Sequence, residues 1–578
     1  MPKVQKFWVI CRSILFKQIY MLNRPSVATS IARTAALFVA FSLLPALVSS
    51  QSSLPQLGDG QEMSVAAERQ LGQRIAREIY RDPDYLDDPL IADYLQRIWQ
   101  PLLQTARMRG DITPQLAERF AWEVVLARDR TVNAFALPGG YMGVHLGLIA
   151  MVGNRDELAS VMAHELSHVT QRHIARMTTQ QNQLSPVLLG AMILGALAAR
   201  KNSDVANAVI TGSQAVGAQA QLNFSRDMER EADRVGYQVM QDAQFDVQGF
   251  VGMFDKLALA NRINDNGSFP YLRTHPLTSE RIGDMQARLQ LSPPSGLSKP
   301  AGNATSAHES EMLAIEHAII ATRSRLLADP GVDNLRSELA QARRVAASVP
   351  AAATAKTQPA AQAKVIGQLY GGSLAALKLR DLPRASSLAA NAALLLENDT
   401  NPALARPSNA KAAIDLIVAE IAVAQGNHAQ AQAVLLPYVA ALSPNGPLRV
   451  APARVQERAA LLLWAQSVTS HVGAANALAE VIERLQSRVA ERPNDALAWD
   501  ALAAAYSAQN QPLRAIRAQA EARVALLDYP AALDRLKAGQ ELIRRLATPD
   551  HIESSIIDAR TRAVQQLVRE LHNDKTLN

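Results

Sequence analysis

The order of apolar and polar residues divides the chain into three parts. Residues 60–290 mix the periodicity of amphipathic helices with a β-like section at 122–147. In that section, runs rich in β-branched and aromatic residues are separated by a Pro-Gly-Gly turn sequence. The pattern predicts two or three strands joined by tight turns, with helices from Asn154 to beyond residue 240.

Two stretches interrupt the helical pattern further along the chain. Residues 291–310 are rich in Pro, Gly and Ser, which is typical of a linker. Residues 348–364 are of low complexity and indicate a long loop. We therefore predict one domain over 51–290, a linker over 291–310 and a second domain over 311–578.

The second domain is rich in alanine and contains a weak internal repeat. Residues 375–385, 421–431 and 505–515 each end one helix, turn through polar residues and begin another helix. Near the last copy, four residues have the spacing of the large, large, aromatic and small positions of a tetratricopeptide repeat: Trp499, Leu502, Tyr506 and Ala515.

These patterns predict a mainly α-helical (α+β) chain. A domain with a small β-sheet comes first, and a tetratricopeptide-like helical solenoid follows it. The copies are irregularly spaced, which leaves a generic helical bundle as the alternative for the second domain.

The first 50 residues have a composition of their own. They hold six basic residues and no acidic one, and an apolar run over 35–48 ends in Ser49 and Ser50. A basic segment, a short apolar stretch and small residues are typical of a secretory signal peptide, which predicts export to the periplasm. Because Met21 also precedes a complete signal, residues 1–20 are predicted to be an over-long start. An uncleaved membrane anchor is the alternative.

Charge and cysteine usage exclude several function classes. The net charge of +6 comes from the leader, because without its six basic residues the chain holds 53 basic and 53 acidic residues. A balanced chain lacks the basic footprint of nucleic-acid binding, so we predict no nucleic-acid partner. The single cysteine, Cys11, lies in the leader, so the exported chain has no thiol for a disulfide or a nucleophile.

The segment VMAHELSHVTQRHIARM, residues 161–177, carries the strongest chemical signal. His164 and His168 are four residues apart, about 40° around a helix, so both imidazoles project from one face and can bind one zinc ion. Glu165 lies about 100° from His164, where its carboxylate can take a proton from a metal-bound water. The pattern H-E-x-x-H predicts one catalytic zinc per chain, although it also occurs by chance in ordinary helices.

A second helical segment, SRDMEREADRVG at 225–236, offers the third ligand. Glu229 and Asp233 are four residues apart and share a face, whereas Glu231 is about 200° from Glu229. We predict Glu229 on the metal and Asp233 behind it, accepting a hydrogen bond from a ligand histidine and so fixing its ring. A charge-rich helix face in solvent is the alternative.

Two further histidines are predicted to lie off the metal. His173 follows His164 by nine residues, one fewer than a metzincin requires, and Gln171 replaces the metzincin glycine. A continuous helix would also point His173 to the side opposite His164. His145, on a predicted strand, is interpreted as a packing residue.

Four segments now support a family resemblance. VNAFALPGGYMGVHLGLI, ELASVMAHELSHVTQRH, SRDMEREADRVG and THPLTSERI, in this order, resemble the HtpX and CAAX-prenyl-protease superfamily of gluzincins. Their intervals are most similar to its BepA-type branch of periplasmic peptidases with a tetratricopeptide tail. The resemblance covers about residues 60–290 by motif and the tail by architecture.

The resemblance implies a zincin-like metallopeptidase domain with zinc on His164, His168 and Glu229, and with Glu165 as catalytic base. It also implies that His275 can occupy the fourth zinc position and hold the enzyme inactive. The expected role is in outer-membrane protein assembly and in degrading misfolded or stalled proteins.

We therefore expect an exported zinc endopeptidase. Its expected partners are unfolded or misassembled protein substrates and, through the tail, the outer-membrane assembly machinery, with peripheral membrane contact. The first rival is a non-catalytic assembly factor or chaperone with an inhibited or structural zinc site. The second is a membrane-embedded protease, which requires residues 184–199 to span a bilayer. That stretch is apolar for only about 16 residues, fewer than the roughly 20 that a spanning helix needs, and we interpret it as a buried helix or an apolar flap.

Overall fold

The structure is a computed structural model of the chain. It describes residues 63–180, 225–262, 269–291, 307–347, 359–396, 408–440, 457–470, 475–548 and 550–576. The predicted signal peptide, the apolar stretch 184–199 and residues 292–306 of the predicted linker lie outside the described residues. Within these ranges helices dominate around one small sheet, so the predicted mainly α-helical architecture is confirmed. No helix in the described ranges is long and apolar enough to cross a membrane.

The described elements up to residue 291 surround the sheet. In chain order they are α1 (Val65–Arg81), β1 (Tyr85–Leu86), α2 (Pro89–Arg109), α3 (Pro114–Arg119), β2 (Glu123–Ala127), β3 (Ala134–Leu137), β4 (Tyr141–His145), α4 (Leu146–Met151), α5 (Arg155–Thr170), α6 (His173–Gln180), α7 (Arg226–Asp242), α8 (Gln248–Arg262), α9 (Tyr271–Thr274) and α10 (Ser279–Leu291).

The described elements after residue 306 are all helices. They are α11 (Ala307–Ala328), α12 (Val332–Ala346), α13 (Pro359–Lys378), α14 (Leu382–Leu394), α15 (Asn409–Ala424), α16 (His428–Ala440), α17 (Glu457–Thr469), α18 (Ala475–Glu491), α19 (Ala496–Ala508), α20 (Pro512–Ala525), α21 (Tyr529–Arg545) and α22 (His551–Thr576). The loop predicted at 348–364 is therefore helical from Pro359 onward.

The four strands form one sheet in the order β1-β2-β4-β3. β3 and β4 are the predicted antiparallel hairpin, and its turn uses Gly139 and Gly140 at φ values of 73° and 85°. β2, however, pairs in parallel with β4 rather than with β3, so β2 and β3 are not joined by a tight turn. The two-residue β1 was missed because it is too short for periodicity, and α4 begins before Asn154, directly after β4.

α5 lies at the centre of the elements that surround the sheet. Every residue from Glu157 to Thr170 is buried, because α2, α7, α8 and β3 all pack against this helix. A helix that is covered on all sides shows little amphipathic contrast in its sequence. Polar side chains on it lie in the interior and need partners there, since an unpaired buried polar group is costly.

The helices after residue 359 form hairpins with a repeated turn. Arg380, Gly426 and Asn510 each have a positive φ, at 64°, 75° and 57°, in the three predicted repeat copies. In each turn the next residue donates its N–H to a carbonyl five residues earlier, as in the hydrogen bond from Gln511 to Tyr506. The predicted helix-turn-helix units are therefore present at all three places.

The seam between the two parts combines apolar packing with buried charges. One buried apolar cluster runs from Val65 to Ala518, and α11 packs on α2, α4 and α5 within it. Arg323 of α11 contacts Asp88, the residue that caps α2, with Nη2 2.9 Å from Oδ2. Arg458 of α17 donates to both carboxylate oxygens of Asp87, at 2.7 and 2.6 Å. The helices after residue 306 therefore meet the elements before residue 291 through specific ion pairs.

Candidate metal centre

Two buried helices bring the sequence-predicted ligands together. α5 is capped by Asn154, whose side chain accepts a hydrogen bond from the N–H of Glu157, and it carries His164 and His168. α7 is capped by Ser225, whose side chain accepts a hydrogen bond from the N–H of Met228, and it carries Glu229. The helices approach closely at Gly236, where a Cβ would lie 3.0 Å from the carbonyl oxygen of Ala163. A small residue at this crossing lets α7 present its carboxylates to the histidines of α5.

A third segment delivers His275. This residue follows α9, donates its backbone N–H to Tyr271 O at 2.8 Å, and stacks its ring on that of Tyr271 with centroids 4.5 Å apart. Nδ1 of His275 lies 3.0 Å from Glu229 Oε1, and Nε2 lies 3.3 Å from Glu165 Oε1. The loop before α10 therefore places an imidazole on the open side of the pair formed by α5 and α7.

The ligand atoms converge on one point. His164, His168, Glu229 and His275 are buried, and each offers an atom within 4.8 Å of the others. Nε2 of His164 and Nε2 of His168 are 3.0 Å apart, and each lies 3.5 Å from an oxygen of Glu229. Ligand atoms around one tetrahedral zinc are about 3.3 Å apart, so these spacings suit that ion.

The proton positions support the same fit. Nδ1 of His164 lies 2.9 Å from Asp233 Oδ1, an acceptor, so in a neutral ring Nδ1 carries the proton and Nε2 a bare lone pair. The Nε2 lone pair of His164 then faces Nε2 of His168 and the carboxylate of Glu229 in a buried space. Such an arrangement of acceptors needs a cation, and the donor set of imidazoles and a carboxylate suits zinc.

A proton on Nε2 of His164 is the other cation that these acceptors can attract, and the resulting imidazolium donates to both Asp233 and Glu229. Burial alone would lower the pKa of His164, but hydrogen bonds to Asp233 and Glu229 outweigh it and raise the pKa to about 10. Burial also opposes ionisation of Glu229, yet the nearby His275 and hydrogen bonds from His164 and His275 hold its pKa well below the usual range. For His168, burial and the neighbouring His164 lower the pKa, which favours the neutral ring that a metal requires.

Glu165 lies beside the convergence point in two distinct environments. Its Oε2 accepts a hydrogen bond from the backbone N–H of Ala136 on β3, at 2.8 Å. Its Oε1 is buried, accepts no hydrogen bond, and lies 3.3 Å from His275 Nε2. One oxygen is thus anchored on the sheet, and the other faces the four-residue group.

Arg281 is a buried site residue that the sequence reasoning missed. It donates to both oxygens of Asp233, at 2.7 and 2.9 Å, and its Nη1 lies 2.8 Å from Glu229 Oε2. It therefore links the carboxylate behind His164 to the carboxylate of the ligand group. Its position six residues after His275 in the segment THPLTSERI was the available signal, but an arginine in a charged helix gives no hint of burial.

The structure corrects the predicted orientation of His173. α5 does not continue to this residue, because the helix ends at Thr170 and the backbone turns at Arg172, which has a φ of 52°. The break folds His173 back against His168, with their Nδ1 atoms 2.8 Å apart, instead of pointing it to the opposite side. Glu231, expected to point away from the site, lies 3.1 Å from His173 Nε2. His173 is not among the four converging residues.

His145 ends β4 and is buried beside Thr131. Its Nδ1 lies 2.9 Å from Thr131 Oγ1 and 3.4 Å from Asp129 Oδ2. The ring also packs edge-on against Phe135 of β3. These contacts are those of a packed, hydrogen-bonded side chain at the end of the strand.

Comparison with known proteins connects this geometry to a family. Residues 89–289 match the family described as Peptidase family M48. The chain is 32% identical over 276 residues to the beta-barrel assembly-enhancing protease of Escherichia coli K12, covering 47% of this chain and 53% of that protein. It is 34% identical over 262 residues to a putative beta-barrel assembly-enhancing protease of Vibrio cholerae, covering 45% and 52%.

A more distant relative is mitochondrial. The mitochondrial metalloendopeptidase OMA1 of Saccharomyces cerevisiae is 28% identical over 196 residues, covering 33% of this chain and 54% of the relative. The chain spans about half the length of the curated relatives it matches. The predicted resemblance to this class of metallopeptidases is confirmed for the region that holds the metal centre.

Proposed function

We propose that this chain, whose residues 89–289 form a metallopeptidase domain of the M48 type, is a zinc-dependent endopeptidase. The observation that carries the proposal is the convergence of His164, His168 and Glu229 beside a glutamate with one unbonded buried oxygen. A buried carboxylate oxygen without a hydrogen bond is costly unless the site uses it. General base catalysis is such a use.

The proposed ligands are His164, His168 and Glu229, with Asp233 orienting His164 from behind. When bound, zinc polarises the scissile carbonyl and lowers the pKa of water towards about 7. Asp233 holds the Nδ1 proton of His164, which keeps the Nε2 lone pair directed at the convergence point. Arg281 keeps Asp233 ionised and in place, since it donates to both carboxylate oxygens.

Glu165 acts as the proton carrier. Its Oε1 accepts a proton from the attacking water and later passes it to the leaving amine. Oε2 stays bonded to the N–H of Ala136, so the carboxylate cannot rotate away while Oε1 changes protonation. The backbone of β3 and the carboxylate of Glu165 therefore keep a fixed relative position.

The edge of β3 that faces away from β4 is the proposed binding site for an extended substrate. β3 is an edge strand, and the hydrogen bond from His145 N to Asn133 O shows which residues face β4. Ala134 and Ala136 alternate with those residues, so their backbone groups point away from β4, towards Glu165. An extended chain paired here would be recognised by the backbone groups of Ala134 and Ala136 other than the Ala136 N–H, which Glu165 holds, rather than by side chains. Such recognition suits unfolded protein substrates.

The tail, the location and the partners form the wider proposal. The three hairpins with matching turns support a tetratricopeptide-like solenoid that binds partners. The acid-free leader supports export to the periplasm. The names of the relatives support a role in β-barrel assembly, where the enzyme would degrade stalled or misfolded proteins, meet the assembly machinery through its tail and touch the membrane peripherally.

His275 supports a regulated site, and also the second candidate function. Its imidazole lies where a fourth ligand would, and four protein ligands are typical of a structural zinc site. If His275 leaves, the site is catalytic; if it stays, the chain is a non-catalytic assembly factor or chaperone. Glu165 favours the first reading, because a closed structural site has no use for a neighbouring base.

A matched pair of glutamate variants tests the proposal. Glu165→Gln should keep zinc and lose casein cleavage by about 10²-fold or more, because an amide cannot accept the water proton. Glu229→Gln should instead lose zinc, because an anionic ligand becomes neutral. Zinc content and cleavage are measured on the full chain. Cleavage by Glu165→Gln at the wild-type rate would refute the proposed mechanism.

His275→Ala separates the two candidate functions. If the histidine blocks the fourth position reversibly, its removal should raise basal cleavage while zinc content stays constant. If cleavage falls in this variant, His275 assists the reaction. A wild-type chain and a His275→Ala chain that both bind zinc and both fail to cleave unfolded protein would favour the assembly-factor function.

A further inference from the structure

The side of the His168 ring that faces away from the ligand group is covered by His173, the first residue of α6. The backbone turns at Arg172, whose left-handed φ of 52° is unfavourable for a residue with a side chain. The Arg172 side chain is held at the break by Glu68, with Nε 2.9 Å from Oε2, and by the backbone carbonyl of Met63. The segment at the start of α1 therefore holds the bend that returns His173 to His168.

A line of contacts leads outward from the ligand group through this bend. His168 Nδ1 is 2.8 Å from His173 Nδ1, and His173 Nε2 is 3.1 Å from Glu231 Oε2. Arg176 Nη1 lies 2.8 Å from the same oxygen of Glu231. The side chains of His168 and His173 are fully buried, whereas that of Glu231 is 27% exposed, so the line runs from the interior to the surface.

When both rings are neutral, only one arrangement of protons satisfies both the contact from His168 to His173 and the contact from His173 to Glu231. Glu231, paired with Arg176, accepts only, so Nε2 of His173 carries a proton and its Nδ1 is an acceptor. Nδ1 of His168 must then carry a proton and donate to His173. The remaining nitrogen, Nε2 of His168, is left as a lone pair on the side of Glu229 and His164, where the ligand atoms converge.

We propose that His173 and Glu231 are positioning residues that fix the tautomer and ring orientation of His168 for zinc binding. The inference rests on the proposed zinc site. It assigns to His168 a support that differs from that of His164, whose Nδ1 meets a carboxylate directly in Asp233. Because the imidazole of His173 lies between His168 and Glu231, His168 is oriented without direct contact between its Nδ1 and a carboxylate.

Zinc affinity of the full chain tests this inference, measured by competition with a chelating indicator at neutral pH. His173→Phe keeps the ring volume and removes both nitrogens, and should weaken zinc binding about 10- to 100-fold, the range typical of lost outer-sphere partners. His173→Asn retains an acceptor for His168 and should recover much of the loss. Glu231→Ala should weaken binding about 10-fold and guards against misfolding of the buried variant.

Two matched controls separate positioning from general stability. His317→Phe removes another buried histidine with two hydrogen bonds, to Tyr94 and Val152, away from the metal centre. Glu338→Ala removes another carboxylate paired with an arginine, Arg325. Both should leave zinc affinity within about twofold of wild type while changing the melting temperature of the zinc-free protein.

The outcomes distinguish this inference from the proposed function. A wild-type chain that binds no zinc would overturn the proposed function itself. Tight zinc binding by wild type, together with unchanged affinity in His173→Phe and Glu231→Ala, would overturn only the positioning role. A loss in His173→Phe that His173→Asn does not recover, and that His317→Phe matches, would assign His173 to packing.

Discussion

The metal centre and the core of the helical tail are both buried, yet different interactions hold them together. At the metal centre, imidazoles, carboxylates and Arg281 meet through defined atom pairs. In the tail, alanines and aliphatic side chains fill the space between hairpins, as at Ala413 and Ile417 of α15, both 0% exposed. The first region depends on which atoms meet, and the second on how well surfaces fit.

The seam between these regions resembles the metal centre, because it also depends on which atoms meet. Arg323, paired with Asp88, and Arg458, paired with Asp87, bring buried charge into a contact that apolar residues could have filled. A buried ion pair adds little net stability but is costly to break, because one charge is then left unpaired. Buried pairs of this kind define where the tail docks more than how strongly it holds, and the following variants test that distinction.

The largest expected effect on stability is at the seam. Arg323→Met leaves the buried carboxylate of Asp88 without its partner and should lower the free energy of unfolding by about 3–5 kcal/mol. Denaturant unfolding measures it. Arg325→Met, on the same helix but 46% exposed, is the control and should cost less than about 1 kcal/mol. Equal costs for the two variants would contradict a special role for the buried pair.

Truncation of a tail core residue should cost slightly less and leave the metal centre alone. Ile417→Ala opens a cavity between hairpins and should lower the free energy of unfolding by about 2–5 kcal/mol. Zinc affinity should stay at the wild-type value. The neighbouring Val418→Ala, at a half-buried position, should cost clearly less. A change in zinc affinity in Ile417→Ala would show that tail packing reaches the ligands.

The hairpin turns allow two matched substitutions that should change the free energy of unfolding in opposite directions. Gly426→Ala should cost about 1 kcal/mol, because φ is 75° there; a Cβ would meet no atom within 4 Å, so the cost is purely conformational. Arg380→Gly relieves the same strain in another copy and should stabilise by a few tenths of a kcal/mol. Thermal unfolding of both variants measures it. The same sign in both would contradict the equivalence of the turns.

The smallest expected effect is a pH dependence at the seam. Burial is the main cause that lowers the pKa of His317 below its ordinary value of 6.5. Its contribution is therefore fully present above pH 6.5 and is lost as pH falls from there towards the folded-state pKa, because the unfolded chain binds the proton more readily. His317→Phe should reduce the slope of stability against pH below pH 6.5. An unchanged slope would show that His317 does not contribute.

The predictable part of the metal centre is the part that helical geometry transmits. Four-residue spacing places His164 and His168 on one face whatever surrounds the helix, and the same holds for Glu229 and Asp233. The error at His173 came from extending that geometry through Arg172. A helix end made by a left-handed residue with a charged side chain carries no Gly or Pro signal, so the continuous helix was the natural but wrong expectation.

In the fold, the pattern of residues was a reliable guide to elements and a poor guide to neighbours. Three strands and the hairpin turn at Gly139 and Gly140 follow from local composition and backbone freedom. The parallel pairing of β2 with β4 does not, because it depends on how α5 and the other helices cover the sheet. The tail copies likewise predicted hairpins, since each contains its own turn.

By itself, the sequence determined which reactive side chains and local structures are present. These are a helix with two histidines and a base, a second helix with carboxylates, and repeated helix-turn-helix units. Local spacing controls these features, so neighbours in sequence suffice to see them. Tertiary structure alone decided that Arg281 reaches two carboxylates, that His173 returns to His168, and that Arg323 meets Asp88. Those contacts join residues far apart in sequence or across a break, where no periodicity relates one partner to the other.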